Sequence, residues 1–227
     1  DRASDDNDRR IMAIGKVAEA MRALVAARQQ ERQDDLISHL LDCEIDARPP
    51  TMAAMEGYCL LLFTAGLDTL VNAFTYGMCH LAIDPALQER VRADRALIPE
   101  LIEEILRRYA VVMVPRMVAK DAEFGGVTVR TGDPVILMLP AGNTDPRAFA
   151  DPMRFDIDRE DKAHMTFSSG PHRCVGSHLA RLEMRVFYEE WFAAMPNVRL
   201  DPDEAPTYRP GFNLTICKLP LVWNPAD

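Results

Sequence analysis

Phe167-Ser168-Ser169-Gly170-Pro171-His172-Arg173-Cys174-Val175-Gly176 sets one cysteine between two glycines, and a helix-forming run follows directly. From Ser177 to Met195 the residues Leu179, Leu182, Val186, Phe187 and Phe192 recur at helical period, which predicts a helix starting just after Cys174. Unpaired backbone N–H groups and the positive end of the helix dipole favour an anion at such a start. A cysteine there is biased towards the thiolate, the form that ligates metals and attacks electrophiles. Gly170 and Gly176 carry no Cβ, so the backbone can turn sharply and a large flat group can approach closely. The stretch reads as a metal-bound thiolate beside a bulky cofactor.

Two motifs precede it. Thr51 can cap a long helix running past Met52, Met55, Leu60 and Phe63 to about Ala82, where Asp84-Pro85 stops it. Midway lies Thr64-Ala65-Gly66-Leu67-Asp68-Thr69, a glycine, an acid and a hydroxyl in an otherwise apolar stretch, and a buried acid there needs a partner or a role. By itself the Asp–Thr pair reads first as local hydrogen bonding at a helix irregularity. Further on, Glu104-Ile105-Leu106-Arg107 places an acid and a base three apart on one helical face. Alone, that pair reads as a solvated contact worth under ~1 kcal/mol.

Taken in order, these motifs resemble the cytochromes P-450, the haem-thiolate monooxygenases. Their signature Phe-x-x-Gly-x-(His/Arg)-x-Cys-x-Gly is met by Phe167, Gly170, His172, Cys174 and Gly176. The resemblance implies haem b as cofactor, with Cys174 as axial iron ligand, whose thiolate donation favours O–O cleavage. It implies His172 and Arg116 as partners of the haem propionates, and a buried structural triad of Glu104, Arg107 and the arginine of Pro152-Met153-Arg154-Phe155. Asp68 becomes a proton relay and Thr69 the hydroxyl that hydrogen-bonds oxygen. Within the family, four segments are most similar to the bacterial camphor 5-monooxygenase group: Gly66-Leu67-Asp68-Thr69, Glu103-Glu104-Ile105-Leu106-Arg107-Arg108, His178-Leu179-Ala180-Arg181 and Leu219-Pro220-Leu221-Val222-Trp223. That likeness implies Leu61, Thr64, Val112 and Phe212 as pocket residues. Val114 and Asn213 stand where that group has an aspartate and a valine, so the expected substrate is a small apolar, terpenoid-like molecule rather than camphor itself.

The implied reaction is hydroxylation with O₂ and two electrons from an iron–sulfur ferredoxin. Arg173, Arg181 and Arg185 are candidates to dock that acidic partner, opposite charge raising encounter rates; a solvated basic helix face is the plain alternative. Family members are nearly twice as long, so the chain is expected to be a C-terminal piece without its N-terminal half. It would then either lack haem and activity or draw the missing contacts from another copy in an oligomer. Three rival readings stay open at this point: a zinc site from His164, His172, Cys174 and His178, a peroxide-using peroxygenase on the same thiolate haem, and a non-catalytic structural or interaction remnant.

The expected fold is mainly α with small β-sheets (α+β), a single domain over 1–227. A helical part spans about 9–109, a small sheet and long haem-binding loop about 111–176, and a final helix with strands about 177–227. Helices are expected near 9–30, 34–42, 51–82, 86–94 and 97–109. Val111–Ala119, Phe124–Arg130 and Val135–Leu139 read as one small sheet, and short strands fall near 214–223. A net charge of −9 and an apolar share of 48% suit a globular protein and argue against a nucleic-acid partner. The longest apolar run, about Tyr58 to Phe63, is too short to cross a bilayer, and a cytoplasmic location is expected. The five cysteines are odd in number and unpaired in spacing, which disfavours a disulfide framework.

Overall fold

The computed structural model describes residues 2–223. The chain divides into two compact units, residues 2–67 and residues 68–223, the division falling inside one long helix.

In the first unit, α1 (Arg2–Gln30), α2 (Leu36–Leu41) and the start of α3 (Met52–Ile83) pack on a small core of Val25, Leu41, Met55 and Cys59. Asp35 caps α2 by accepting the Ser38 N–H at 2.8 Å while its other oxygen takes Arg28; together these bonds hold its carboxyl down at about 2. Thr51 Oγ1 accepts the Ala54 N–H at 3.2 Å, the cap expected for α3.

In the second unit, the remainder of α3, α4 (Pro85–Ala93), α5 (Ile98–Arg108) and α7 (Ser177–Ala194) enclose the main core. Its fully buried residues include Leu81, Ile98, Leu101, Ile105, Met184, Tyr188 and Phe192. Asp84 caps α4 through the Leu87 N–H at 3.0 Å, with Pro85 in the first turn, where a missing N–H costs nothing. Buried Gln88 ties α4 to β5 (Val198–Leu200): its amide nitrogen donates to the Leu81 and Val198 carbonyls and its oxygen accepts the Val198 N–H. Arg92 donates to the carbonyls of Phe192 and Met195, closing the C-terminus of α7 with a cation.

Among the described residues the strands form four separate antiparallel pairs, two of them in the stretch 113–138 that was expected to make one small sheet. β1 (Met113–Met117) pairs with β4 (Pro134–Met138), and between them β2 (Ala122–Phe124) and β3 (Val127–Val129) make a hairpin over Gly125-Gly126. The glycine pair divides the expected strand from Phe124 to Arg130. β5 and β6 (Thr207–Arg209) escaped the sequence reading; they pair with β8 (Leu221–Trp223) and β7 (Thr215–Lys218). The long loop after β4 contains a short helix, α6 (Leu139–Asn143). A second correction concerns α3, which by length and composition is able to cross a membrane. Judging by the longest unbroken apolar run missed this, because scattered Thr, Asn and Asp residues interrupt the run without ending the apolar helix.

Candidate functional site

The cysteine loop is built from two residues in the left-handed region. Ser168 has φ 58° and Gly170 φ 67°, the second opening a 3₁₀ turn over Gly170–His172. Glycine meets the left-handed requirement without strain; Ser168 meets it with its N–H bonded to the Met165 carbonyl at 2.7 Å. The loop closes when the Cys174 N–H donates to the Phe167 carbonyl at 2.9 Å, leaving the thiol exposed just ahead of α7. Gly176 has φ −81°, a conformation open to any residue, and a Cβ built there would lie 3.9 Å from Cys174 Sγ. His172 and Arg173 are exposed in the same loop.

Exposed Val175 follows the thiol directly, and exposed Leu179, Leu182 and Val186 follow on α7. The sequence reading used these leucines and the second valine, with Phe187 and Phe192, only to predict the helix. In the structure α7 has two apolar faces, and the core takes Met184, Tyr188 and Phe192.

Beneath the loop lies a buried ion pair. Glu104 and Arg107 on α5 are both 0% exposed, with Arg107 Nε and Nη2 each 2.8 Å from a Glu104 carboxylate oxygen. The rest of the guanidinium donates to the carbonyls of Asn143, Pro152 and Arg154 at 2.8, 2.9 and 3.1 Å. Glu104 also accepts the Asp156 N–H at 2.8 Å. The expected third member, Arg154, joins through its backbone only: its side chain is 66% exposed beside Asp156. The arginine whose side chain approaches Glu104 is Arg159, at 3.8 Å and 11% exposed. A carbonyl serves Arg107 as an acceptor, so the residue at 154 is held by its backbone and its side chain is left to solvent.

Arg181 is likewise not a free surface charge. It forms a two-pronged pair with Glu103 on α5, at 2.5 and 2.9 Å, and its guanidinium lies 4.7 Å from the centre of the Phe167 ring. Burial pushes the Glu103 carboxyl up, but hydrogen bonds from Arg181 and His164 outweigh it and hold the group at about 2. Of the three arginines expected to dock a partner, Arg173 and Arg185 remain exposed. The zinc grouping does not assemble: among the described residues no three or more His, Cys, Asp or Glu side chains gather to hold a metal. His164 is turned to Glu103 at 3.2 Å.

On α3 the helix runs unbroken through the Gly-Leu-Asp-Thr segment. Asp68, expected as a buried acid, is exposed, and its Oδ2 accepts a hydrogen bond from Asn213 Nδ2 at 2.5 Å. The Asp68 carbonyl accepts from Asn72 at 2.8 Å. Thr69, next along the helix, is half-buried. In the sequence Asn213 stands out only as a departure from a related group; it reaches Asp68 because the Val112–Asn213 bridge pins its backbone beside β1. Phe212 is exposed and gives its carbonyl to the Met113 N–H at 2.7 Å, while Val112 is half-buried. Arg116 sits half-buried on β1 with Nη1 on the Pro115 carbonyl at 2.8 Å. Leu61 and Thr64 lie exposed on the first unit's part of α3, Thr64 Oγ1 donating to the Leu60 carbonyl at 2.8 Å.

A family model described as Cytochrome P450 matches residues 4–192. The chain belongs to the cytochrome P450 family. Over 95% of its length this P450 chain is 34% identical to "Probable cytochrome P450 127A1" of Sinorhizobium fredii, and it covers 52% of that protein. It is 30% identical to a "Steroid C26-monooxygenase" of Mycobacterium tuberculosis, over 90% of this chain and 56% of that protein. The solved structures of CYP101C1 and CYP101J2 match at TM-scores of 0.89 and 0.88, with 36% and 35% identity over 93% of this chain and 55% and 54% of theirs. The chain thus spans about half the length of the curated P450s it matches, a partial P450 fold, mainly helical with small sheets. In that likeness α3, with its apolar run, is a helix of the P450 fold.

The P450 cofactor is haem b, and the residues present fit it. They offer one exposed thiol at a closed loop, no competing ligand cluster among the described residues, and a run of exposed apolar side chains beside the thiol. Cys174 would hold the iron, with His172 and Arg116 as donors to the propionates.

Proposed function

We propose that the whole protein is a monooxygenase. It places one atom of O₂ in a C–H bond of a small apolar, terpenoid-like substrate and releases the other as water, using two electrons from an iron–sulfur ferredoxin. The observation that carries this reading is the exposed Cys174 thiol, presented by a loop that contains all five signature residues. Relatives named as a steroid C26-monooxygenase and a methyl-branched lipid omega-hydroxylase support an apolar substrate.

The bound haem supplies oxygen activation, the chemistry that no side chain can perform. The chain's own work is simpler. Cys174 contributes the thiolate. Asp68, oriented by Asn213, holds and passes protons at its carboxylate, in the manner of a positioned general acid. Thr69 presents its hydroxyl one residue further along α3. Within the second unit, Val112 and Phe212 supply apolar surface for substrate. Arg173 and Arg185 offer positive charge to an acidic electron donor, a contribution that salt screens. An acidic, globular composition supports a cytoplasmic setting.

The test is the absorption spectrum of the reduced whole protein with carbon monoxide. A strongly red-shifted Soret band is expected, and Cys174→Ser should abolish it. Survival of band and oxygenation in that variant would overturn the reading.

A further inference from the structure

Glu103 is not part of the P450 signature, yet two other elements converge on it where it stands on α5. From α7, Arg181 grips both carboxylate oxygens at 2.5 and 2.9 Å. From the cysteine loop, His164 approaches Oε2 at 3.2 Å with its side chain 3% exposed. The Thr166 N–H donates to His164 Nδ1 at 3.3 Å, so the ring proton sits on Nε2 and is donated to Glu103. Arg181 and His164 both flank the Phe167 ring, at 4.7 Å from the guanidinium carbon and 5.9 Å between ring centres. The Phe167 carbonyl is the acceptor of the Cys174 N–H.

The stem just before Phe167 has its own anchors. Asn143 accepts the Met165 N–H and donates to Thr166 Oγ1, each at 2.7 Å, and Thr166 Oγ1 donates to the Leu106 carbonyl at 2.6 Å. Those bonds fix the loop as far as Thr166. The cysteine itself is held by its N–H on the Phe167 carbonyl at 2.9 Å and by its carbonyl, which accepts the Ser177 N–H at 3.4 Å at the start of α7.

We propose that Glu103 is a positioning residue for the thiolate: by holding Arg181 and His164 against Phe167, it fixes the carbonyl that orients Cys174. In metal sites, partners one step behind the ligands set ligand orientation, and their loss costs about 10–100-fold in metal affinity or activity. Charge-assisted, two-pronged geometry suits such a clamp because it fixes angle as well as distance.

The inference rests on the haem-thiolate reading, and its test separates the two. In this chain without haem, amide hydrogen exchange at Cys174 should speed up about 10–100-fold in Glu103→Gln, as expected for losing a charge-assisted hydrogen bond. Protection in the middle of α7 should stay unchanged, and Glu103→Asp should restore part of the protection at Cys174. In the whole haem-loaded protein, Glu103→Gln should move part of the reduced carbon monoxide band away from the thiolate position and release haem about tenfold faster. Arg181→Lys, which keeps the charge but loses the planar stack, should show the same changes in smaller degree, and it decides the matter if Glu103→Gln does not fold. Unchanged exchange at Cys174 in a folded variant overturns the clamp. Absence of the red-shifted band in the unaltered protein overturns the haem-thiolate reading and leaves the exchange result to judge the clamp.

Discussion

Substituting Glu104 by Gln is the sharpest perturbation of this fold, because it changes one charge and almost no volume. Arg107 makes five hydrogen bonds, two to Glu104 and three to the carbonyls of Asn143, Pro152 and Arg154, and neither side chain of the pair touches solvent. The glutamine that replaces Glu104 would retain one oxygen for the Asp156 N–H or for Arg107, but its amide hydrogens would face a guanidinium that can only donate. A buried cation would be left without its counter-charge, at a cost of about 3–5 kcal/mol. Against a total stability of about 5–15 kcal/mol, that is a large share. Spread over a protein about twice as long as this chain, it corresponds to a fall of about 3–6 °C in melting temperature. Thermal unfolding of the purified whole protein, followed by circular dichroism, measures it. The double variant Glu104→Gln/Arg107→Met should be less damaged than the sum of the two singles by about 1–3 kcal/mol, because the second change removes the stranded charge. A drop of under about 2 °C for Glu104→Gln, or strict additivity, would show the pair behaving as a surface contact and refute the reasoning.

Gly77→Ala should destabilise by about 1–3 kcal/mol: the added Cβ would fall 2.0 Å from Tyr188 Oη and 2.8 Å from Ile105 Cδ1. Tyr188→Phe removes a buried hydroxyl that has no hydrogen-bond partner among the described residues, so chemical denaturation should find it neutral or stabilising by up to about 1 kcal/mol, and it should recover part of the Gly77→Ala loss. Glu103 is held at about 2 from an ordinary 4.5, so its contribution to stability is complete above about pH 4.5 and lost as pH falls towards 2. An acid titration of unfolding should therefore show a shallower limb in Glu103→Gln over that window, and an unchanged limb would contradict the pairing. Thr69→Ala in the whole enzyme should divert electrons to peroxide, measured as peroxide released per substrate oxidised; full coupling would remove Thr69 from its role. Arg185→Glu should slow reduction by an acidic ferredoxin, with the difference shrinking as salt rises; identical rates at low salt would remove Arg185 from the docking surface.

The cysteine loop was legible in the sequence because its determinants are local. A glycine at a positive φ, a proline after it and a helix start all lie within ten residues of the sulfur, and each acts through its own backbone. The Thr51 and Asp84 ends of α3 were legible for the same reason. Other features failed where a choice between partners had to be made. Arg154 and Arg159 lie in one loop, and sequence cannot tell which of the two turns its side chain towards Glu104. β5 and β6 are three residues each, too short to show alternation, and they exist only because β8 and β7 pair with them.

Spacing and residue type by themselves settled that a thiol stands ahead of a helix, that an acid and a base share a face of α5, and that α3 carries an acid and a hydroxyl amid apolar neighbours. These follow from repeats of three or four residues along a helix, which require no knowledge of what lies across the chain. Tertiary structure alone decided which of two apolar faces of α7 enters the core, that Asn213 orients Asp68, and that Glu103 links α5, α7 and the cysteine loop. Such contacts join residues far apart in sequence, and their energies depend on burial and distance, quantities that exist only once the chain has packed.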